Sequence, residues 1–291
     1  MKKSKVMKKI IIIAGATATG KTAKAIQLAK HVNGEIISAD SMQVYKYLDI
    51  GTAKPTPHEC DEIEHHLIDI IHPFASFSVH EYQQLALEKI NIINKKGKTP
   101  ILVGGTGFYI NAVLYKQLFK ENEDAKTREY YTRLAENNSK EYMHSLLMSV
   151  DSIAAKNIDI NNTKRVVRAL SFVKGTGKLF SDYKQPQEPA FDAEIILINC
   201  ERDELYKRIN SRVDAMLKKG LLDEVKSLID MGLNLSHQSM QGIGYKETYK
   251  YLIGEAKLDE TIDKIKQNTR NYAKRQITWF KHKLYAKQNN I

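Results

Sequence analysis

Gly15-Ala16-Thr17-Ala18-Thr19-Gly20-Lys21-Thr22 satisfies G-x-x-x-x-G-K-[ST]. It follows the β-branched run Lys9–Ala14 and precedes Thr22–His31, where Ala, Ile and Leu recur at helical spacing. That is the strand, loop and helix setting the motif requires. In such a loop, backbone N–H groups converge on phosphate oxygens, Lys21 adds a point charge, and the Thr22 hydroxyl can ligate Mg²⁺. The ligand chemistry is therefore a diphosphate or triphosphate.

An ATP-hydrolysing P-loop protein places an aspartate at the end of a second apolar strand to hold Mg²⁺. Here Ile101-Leu102-Val103 runs into Gly104-Gly105-Thr106-Gly107 with no acid. The acid that closely follows an early strand is Asp40, in Ile36-Ile37-Ser38-Ala39-Asp40-Ser41. Ligands of parallel sheets bind at the carboxyl ends of strands, so Asp40 is expected to face the P-loop crevice. There it can serve as a metal-shell ligand or a general base, although an aspartate before Ser41 also suits an N-cap or turn.

These residues need a scaffold. Glu35–Ser38, Ile101–Val103 and Ala193–Cys200 read as further buried strands, and Val79–Lys95 as an amphipathic helix. From Gln117 to Pro189 the composition turns to Tyr, Lys, Arg, Asn and Glu, with helices expected at Thr127–Glu136, Lys140–Ser149 and Asn162–Lys174. Asp203–Lys219, Leu221–Met231 and Leu258–Lys283 follow as helices, with Gly220, Gly232 and Gly254 as breaks. The expected fold class is α/β: a P-loop NTPase-like parallel sheet flanked by helices, with an inserted all-α domain. Residues 8–116 and 190–291 form the core and residues 117–189 the insertion, with Gln185–Pro189 as the return linker.

Composition narrows the partners. A content of 42% hydrophobic residues over 291 positions can bury a real core, and 45 Lys and Arg against 34 Asp and Glu give a formal charge of +11, which suits a polyanionic partner such as nucleic acid and equally a basic soluble enzyme without one. Cys60 and Cys200 have no CxxC or zinc-type spacing around them, so a reducing, cytoplasmic setting is expected. The lysines and Ile10–Ile13 near the N-terminus resemble a signal peptide, but the apolar run is too short and leads directly into the P-loop. No other stretch approaches the length needed to cross a bilayer, so no membrane partner is expected. The neighbours His58, His65, His66, His72 and His80 suit packing or loop duty better than a metal site, because adjacent histidines do not easily share one ion.

Several motifs, in order along nearly the whole chain, resemble the tRNA dimethylallyltransferases. They are Gly15–Thr22, Ser38–Tyr45, Asp49–Pro55, His65–Asp69, Val103–Tyr109, Arg208–Leu217, Gln241–Glu247 and Thr269–Phe280. The resemblance implies transfer of a dimethylallyl group from dimethylallyl diphosphate to N6 of the adenosine just 3′ of the anticodon of tRNA, with release of diphosphate and help from Mg²⁺. It implies that Asp40 is the general base, that Thr106 offers a hydroxyl near the leaving oxygen or the amine, and that Arg212 serves the diphosphate. Gly15, Ala16, Thr17, Ala18, Thr19, Gly20, Lys21 and Thr22 would hold that diphosphate, with Mg²⁺ on Thr22.

The Asp40-Ser41-Met42-Gln43 segment is expected to touch tRNA, with Gln43 hydrogen-bonding an adenine or filling its vacated space. Lys164, Arg165 and Arg168 of the insertion are expected to meet tRNA phosphates, although basic helix faces are often simply solvated. Arg208 and Arg212 form an i,i+4 pair of which one is expected on a solvated face. Eukaryotic relatives append a zinc finger, and no cysteines occur after Trp279, so the compact bacterial form, acting as a monomer, is expected. Two rivals predict different substrates: a prenyltransferase acting on a free adenine nucleotide, which needs no extra domain, and an ATP-dependent kinase, which needs the acid missing after Val103. A regulatory nucleotide-binding module is a third.

Overall fold

The computed structural model describes residues 8–116, 125–183 and 189–284. The N-terminal tail before residue 8, the start of the insertion and all of the return linker but Pro189 lie outside the described residues. The chain divides into two compact units, Met1–Lys116 with Glu188–Ile291, and Gln117–Gln187.

The first unit opens with β1 (Lys9–Gly15), α1 (Lys21–Val32), β2 (Gly34–Ser38), α2 (Pro57–Cys60), β3 (His65–His66), α3 (Val79–Lys95), β4 (Thr99–Gly104) and α4 (Gly107–Leu114). The second holds α5 (Ala125–Glu136), α6 (Lys140–Val150), α7 (Ser152–Asn157) and α8 (Thr163–Thr176). The chain then returns with β5 (Asp192–Ile198), α9 (Arg202–Lys218), α10 (Leu221–Asp230), α11 (Tyr245–Leu252) and α12 (Leu258–Lys283).

The five strands form one parallel sheet in the order β3-β2-β4-β1-β5. β1 lies between β4 and β5, with Ile12 opposite both Leu102 and Ile195. Alternate residues of β1 face opposite cores. Ile10 and Ile12 pack with Ile37, Leu102, Tyr82 and Ile110, whereas Ile11 and Ile13 pack with Ala25, Ile26, Ala29 and Ile101 of the α1 side. A strand covered on both faces must be apolar throughout, which explains the unbroken Ile10–Ile13 run. Because all strands point the same way, the segments after β1, β2 and β4 leave one edge of the sheet together. Those segments carry the P-loop, Asp40 and Thr106.

At the other end of the sheet, buried Glu35 accepts from His66 Nε2 (2.7 Å) and pairs with Lys98 (2.8 Å) and Lys96 (3.1 Å). Burial opposes ionisation of this carboxyl, but Lys98, His66 and Lys96 outweigh it and hold its pKa at about 2. Ligand atoms of Glu35, Glu64 and His66 lie within 4.8 Å of one another. The two lysines already supply the positive charge that a cation would bring. His66 thereby ties the two-residue edge strand to its neighbour.

In the second unit, α6, α7 and α8 bury Met143, Leu147, Ala155, Val166 and Leu170 together. Asp151 caps α7 by accepting from Ala154 N (2.9 Å), and it also accepts from Ser181 N (2.8 Å). Lys164 and Arg165 are exposed near the start of α8, whereas Arg168 is half-buried.

The sequence pattern misses α2, β3, α4, α7 and α11, and β5 ends at Ile198 rather than Cys200. α4 is apolar on nearly every side, so it has no amphipathic period to detect, and β3 is too short to show alternation. Among the described residues, no helix is long and apolar enough to cross a membrane.

Candidate active site

The P-loop takes its shape from close backbone approach and left-handed residues. A Cβ on Gly15 would stand 2.6 Å from the Ile198 carbonyl oxygen, which β5 cannot move, so that position takes glycine only. Gly20 caps α1 at φ 85° and Ala18 sits at φ 62°. Thr19 Oγ1 donates to Ala16 O (2.8 Å), and Lys21 Nζ donates to the same carbonyl (2.5 Å). Burial, with the charge of Arg212 adding to it and Asp40 opposing, lowers the Lys21 pKa to about 8. Thr22 is exposed on the first turn of α1.

Asp40 accepts from Met42 N (2.9 Å), which is the turn bond its residue type favours, and still lines the cleft. Asp40 is therefore a turn residue that also borders the cleft. Ser41 N donates to Thr106 Oγ1 (3.1 Å), and Thr106 N donates to Ala39 O (3.1 Å), so the segments after β2 and β4 are joined. A Cβ on Gly104 would lie 2.1 Å from Ala39 O, which is why the run after β4 starts with glycine and not an acid.

Arg212 and Arg208 separate. Arg208 is half-exposed and paired with Glu204 at 2.7 Å, whereas Arg212 lines the cleft and donates from Nη2 to Thr52 O (3.3 Å). Burial lowers the Arg212 pKa and Asp40 opposes that shift, so the two charges face each other. Gln43 accepts from Ser38 Oγ (3.0 Å), and its Nε2 lies 3.4 Å from the carbonyls of Thr52 and Ala53.

Together these residues open a cleft of about 320 Å³. Its lining includes the polar Thr17, Asp40, Ser41, Thr52, Arg212 and Arg275 and the apolar Met42, Val213, Met216, Ile243 and Ile265. Tyr272 completes it, with its pKa raised to about 12 by burial and by Asp40, against its bonds to Thr106 and Gln276 and the charge of Arg275. A site lined by both cationic and apolar side chains suits a small amphiphile with an anionic head. Lys164, Arg165 and Arg168 belong to the second unit and take no part in this geometry.

Two residues that brace the site escape a local reading of the sequence. Gln276, on α12, accepts from Thr17 N (2.9 Å) and donates from Nε2 to Gly105 O (2.9 Å), bridging the P-loop to the segment after β4. Glu224, on α10, accepts from the backbone N–H groups of Asp49 (2.9 Å), Ile50 (2.7 Å) and Gly51 (3.1 Å) and from the Tyr245 hydroxyl (2.7 Å). It thereby fixes the loop whose Thr52 carbonyl holds Arg212. Glu224→Ala leaves four donors without their acceptor and is expected to cost about 2 kcal/mol of stability, read from urea unfolding midpoints. An unchanged midpoint would mean that water replaces the carboxylate freely.

A P-loop beside a carboxylate, a hydroxyl and an arginine, with glycines where a nucleotide hydrolase keeps its second acid, defines a group-transfer enzyme of the P-loop α/β class. The chain belongs to the IPP transferase family, whose model matches residues 43–283. It is 49% identical over 278 residues to the tRNA dimethylallyltransferase of Bacillus velezensis, covering 94% of this chain and 88% of that one.

Among solved structures, it matches the full-length tRNA isopentenylpyrophosphate transferase of Bacillus halodurans at TM-score 0.73 and 45% identity, covering 96% of this chain and 88% of the other. It also matches a eukaryotic dimethylallyltransferase acting on tRNA at TM-score 0.83 and 32% identity, covering 94% and 70%. These neighbours share the parallel α/β fold.

Proposed function

We propose that this chain transfers the dimethylallyl group of dimethylallyl diphosphate to N6 of the adenosine immediately 3′ of the anticodon in tRNA, releasing diphosphate. The observation that carries the reading is that Asp40 and Arg212 line one cleft together with apolar side chains, with Lys21 near enough to feel both charges.

The anionic head lies on the P-loop N–H groups and Lys21, with Arg212 opposite, and the prenyl chain lies along the apolar side chains. As the allylic C–O bond breaks, negative charge builds on the diphosphate, and donors already aimed there lower the barrier. The N6 lone pair forms the new N–C bond at that carbon as the C–O bond breaks, and Asp40 accepts the amine proton. Thr106, held between Ser41 and Tyr272, offers its hydroxyl to the amine or the leaving oxygen.

The exposed Thr22 hydroxyl, an oxygen donor on the first P-loop turn, fits Mg²⁺, which needs few protein ligands and keeps its waters. Bound there, Mg²⁺ would add electrostatic stabilisation of the diphosphate. The Asp40-Ser41-Met42-Gln43 segment receives the unstacked adenosine, and Lys164, Arg165 and Arg168 meet tRNA phosphates from the insertion. The enzyme acts as a cytoplasmic monomer.

The test is mass spectrometry of an unmodified anticodon stem-loop, and separately of AMP, after incubation with protein, Mg²⁺ and dimethylallyl diphosphate. A dimethylallyl gain on the RNA adenosine is expected. Gain on AMP alone would shift the reading to a nucleotide enzyme, and ATP consumption without prenyl transfer would sink it.

A further inference from the structure

Four rings form a surface ladder in the same unit as the cleft. Tyr47 meets His72 edge-on at 5.9 Å, His72 stacks on Phe74 at 5.4 Å with the planes 9° apart, and Phe74 meets His237 edge-on at 5.1 Å. Tyr47 is 52% exposed and Phe74 45%, so these side chains stand at the surface rather than in the core. Large apolar rings left outside in a row mark a contact surface more often than scattered single ones do.

The ladder is held by its backbone. Lys46 N donates to Ile71 O (2.9 Å), which joins the Tyr47 segment to that of His72. Ser239 Oγ donates to Pro73 O (2.7 Å), and Gln238 exchanges two 3.0 Å bonds with the backbone of Phe77, which joins the His237 segment to that of Phe74. Tyr47 itself adopts φ 68°, a left-handed conformation that a tyrosine rarely takes. Rigid rings lose little freedom when a flat partner settles on them.

Two of the three segments run directly into the cleft. Met42, five residues before Tyr47, and Gln241, four residues after His237, both line it. A chain reaches at most about 3.6 Å per residue, so the Cα atoms of Tyr47 and His237 lie within roughly 18 Å of residues that line the cleft, and the ring contacts carry His72 and Phe74 with them. Exposed Lys46 offers a cation beside the rings, and Lys54 bridges Asp49 and Asp69 at 2.5 Å each, so the acids of these loops do not stand bare.

Flat aromatic and imidazole faces with a neighbouring lysine suit unpaired bases and their phosphates, which stack on Tyr, Phe and His in RNA-binding proteins. The geometry points to a stacking platform, built on Tyr47, His72 and Phe74, for an unpaired base of the RNA loop near the target adenosine. This rests on the tRNA reading above and adds where the loop's other bases settle.

The test uses the full chain and an anticodon stem-loop carrying 2-aminopurine at successive loop positions. The wild type is expected to quench the probe at one or two positions. The double variant Tyr47→Ala with Phe74→Ala is expected to lose that quenching and to bind the stem-loop at least about tenfold more weakly, while Tyr47→Phe keeps wild-type affinity. Dimethylallyl diphosphate affinity and melting temperature should not change. If the double variant melts early, Tyr47→Ser alone carries the comparison. Full stem-loop affinity and quenching in the ring-free variant would overturn the platform and leave the prenyl-transfer reading intact. A wild type that binds no stem-loop yet prenylates AMP would instead overturn the tRNA reading, and the platform with it.

Discussion

Asp40→Ala is expected to lower single-turnover prenyl transfer by about 10²–10⁴-fold, the usual contribution of a positioned general base. Diphosphate binding should not weaken with it. Asp40 opposes the lowering of both the Lys21 and the Arg212 pKa by burial, so at a pH well below 8 its removal leaves two cations for the anionic head without a competing carboxylate. The variant therefore should bind dimethylallyl diphosphate at least as well as the wild type while turning it over slowly. Binding by calorimetry and rate by quenched flow separate the two. An unchanged rate would assign the proton elsewhere, and Tyr272, whose pKa of about 12 leaves it protonated, is not an alternative acceptor.

Lys21→Met is expected to weaken dimethylallyl diphosphate binding and to slow transfer together, because the ammonium serves the head group both before and during C–O cleavage. It also predicts a pH signature. With a pKa of about 8 in the free protein, Lys21 is charged below pH 8 and neutral above it, so affinity should fall by up to about tenfold per unit as pH rises past 8. The linkage to folding runs the other way. Folding lowers this lysine from 10.5, so between pH 8 and 10.5 the unfolded chain binds the extra proton and ligand-free stability gains as pH rises. Lys21→Met should lose both slopes. Isothermal titration across pH 7 to 10 checks the first, and denaturant midpoints over the same range check the second.

What could be read from the sequence was what is written locally. The P-loop carries its signature in eight consecutive residues, and Asp40 follows from the rule that parallel strands deliver their ends to one edge. The long helices α3, α9 and α12 announce themselves by period. Glu224 was not legible, because on its own helix it is one more acid, and only the loop from Asp49 to Gly51 reveals three donors waiting for it. Gln276 sits within a motif that resemblance picks out, yet nothing near it in the chain says that it faces Thr17 and Gly105. Resemblance singled out Arg212 over Arg208, but their i,i+4 spacing on one helix gives no reason for it, and the physical difference is that Arg212 is half-buried at the cleft while Arg208 is exposed beside Glu204.

The Gln276 bridge also orders events in time. Its bond to Thr17 spans 259 residues, so a chain made from its N-terminus produces the P-loop backbone first and that loop's carboxamide partner 259 residues later. The early strands can pair and the first helix can dock long before, but the anion cradle reaches its final shape only when α12 arrives. A nascent chain thus carries a recognisable P-loop that is not yet braced, and competence for the substrate becomes a late event of maturation.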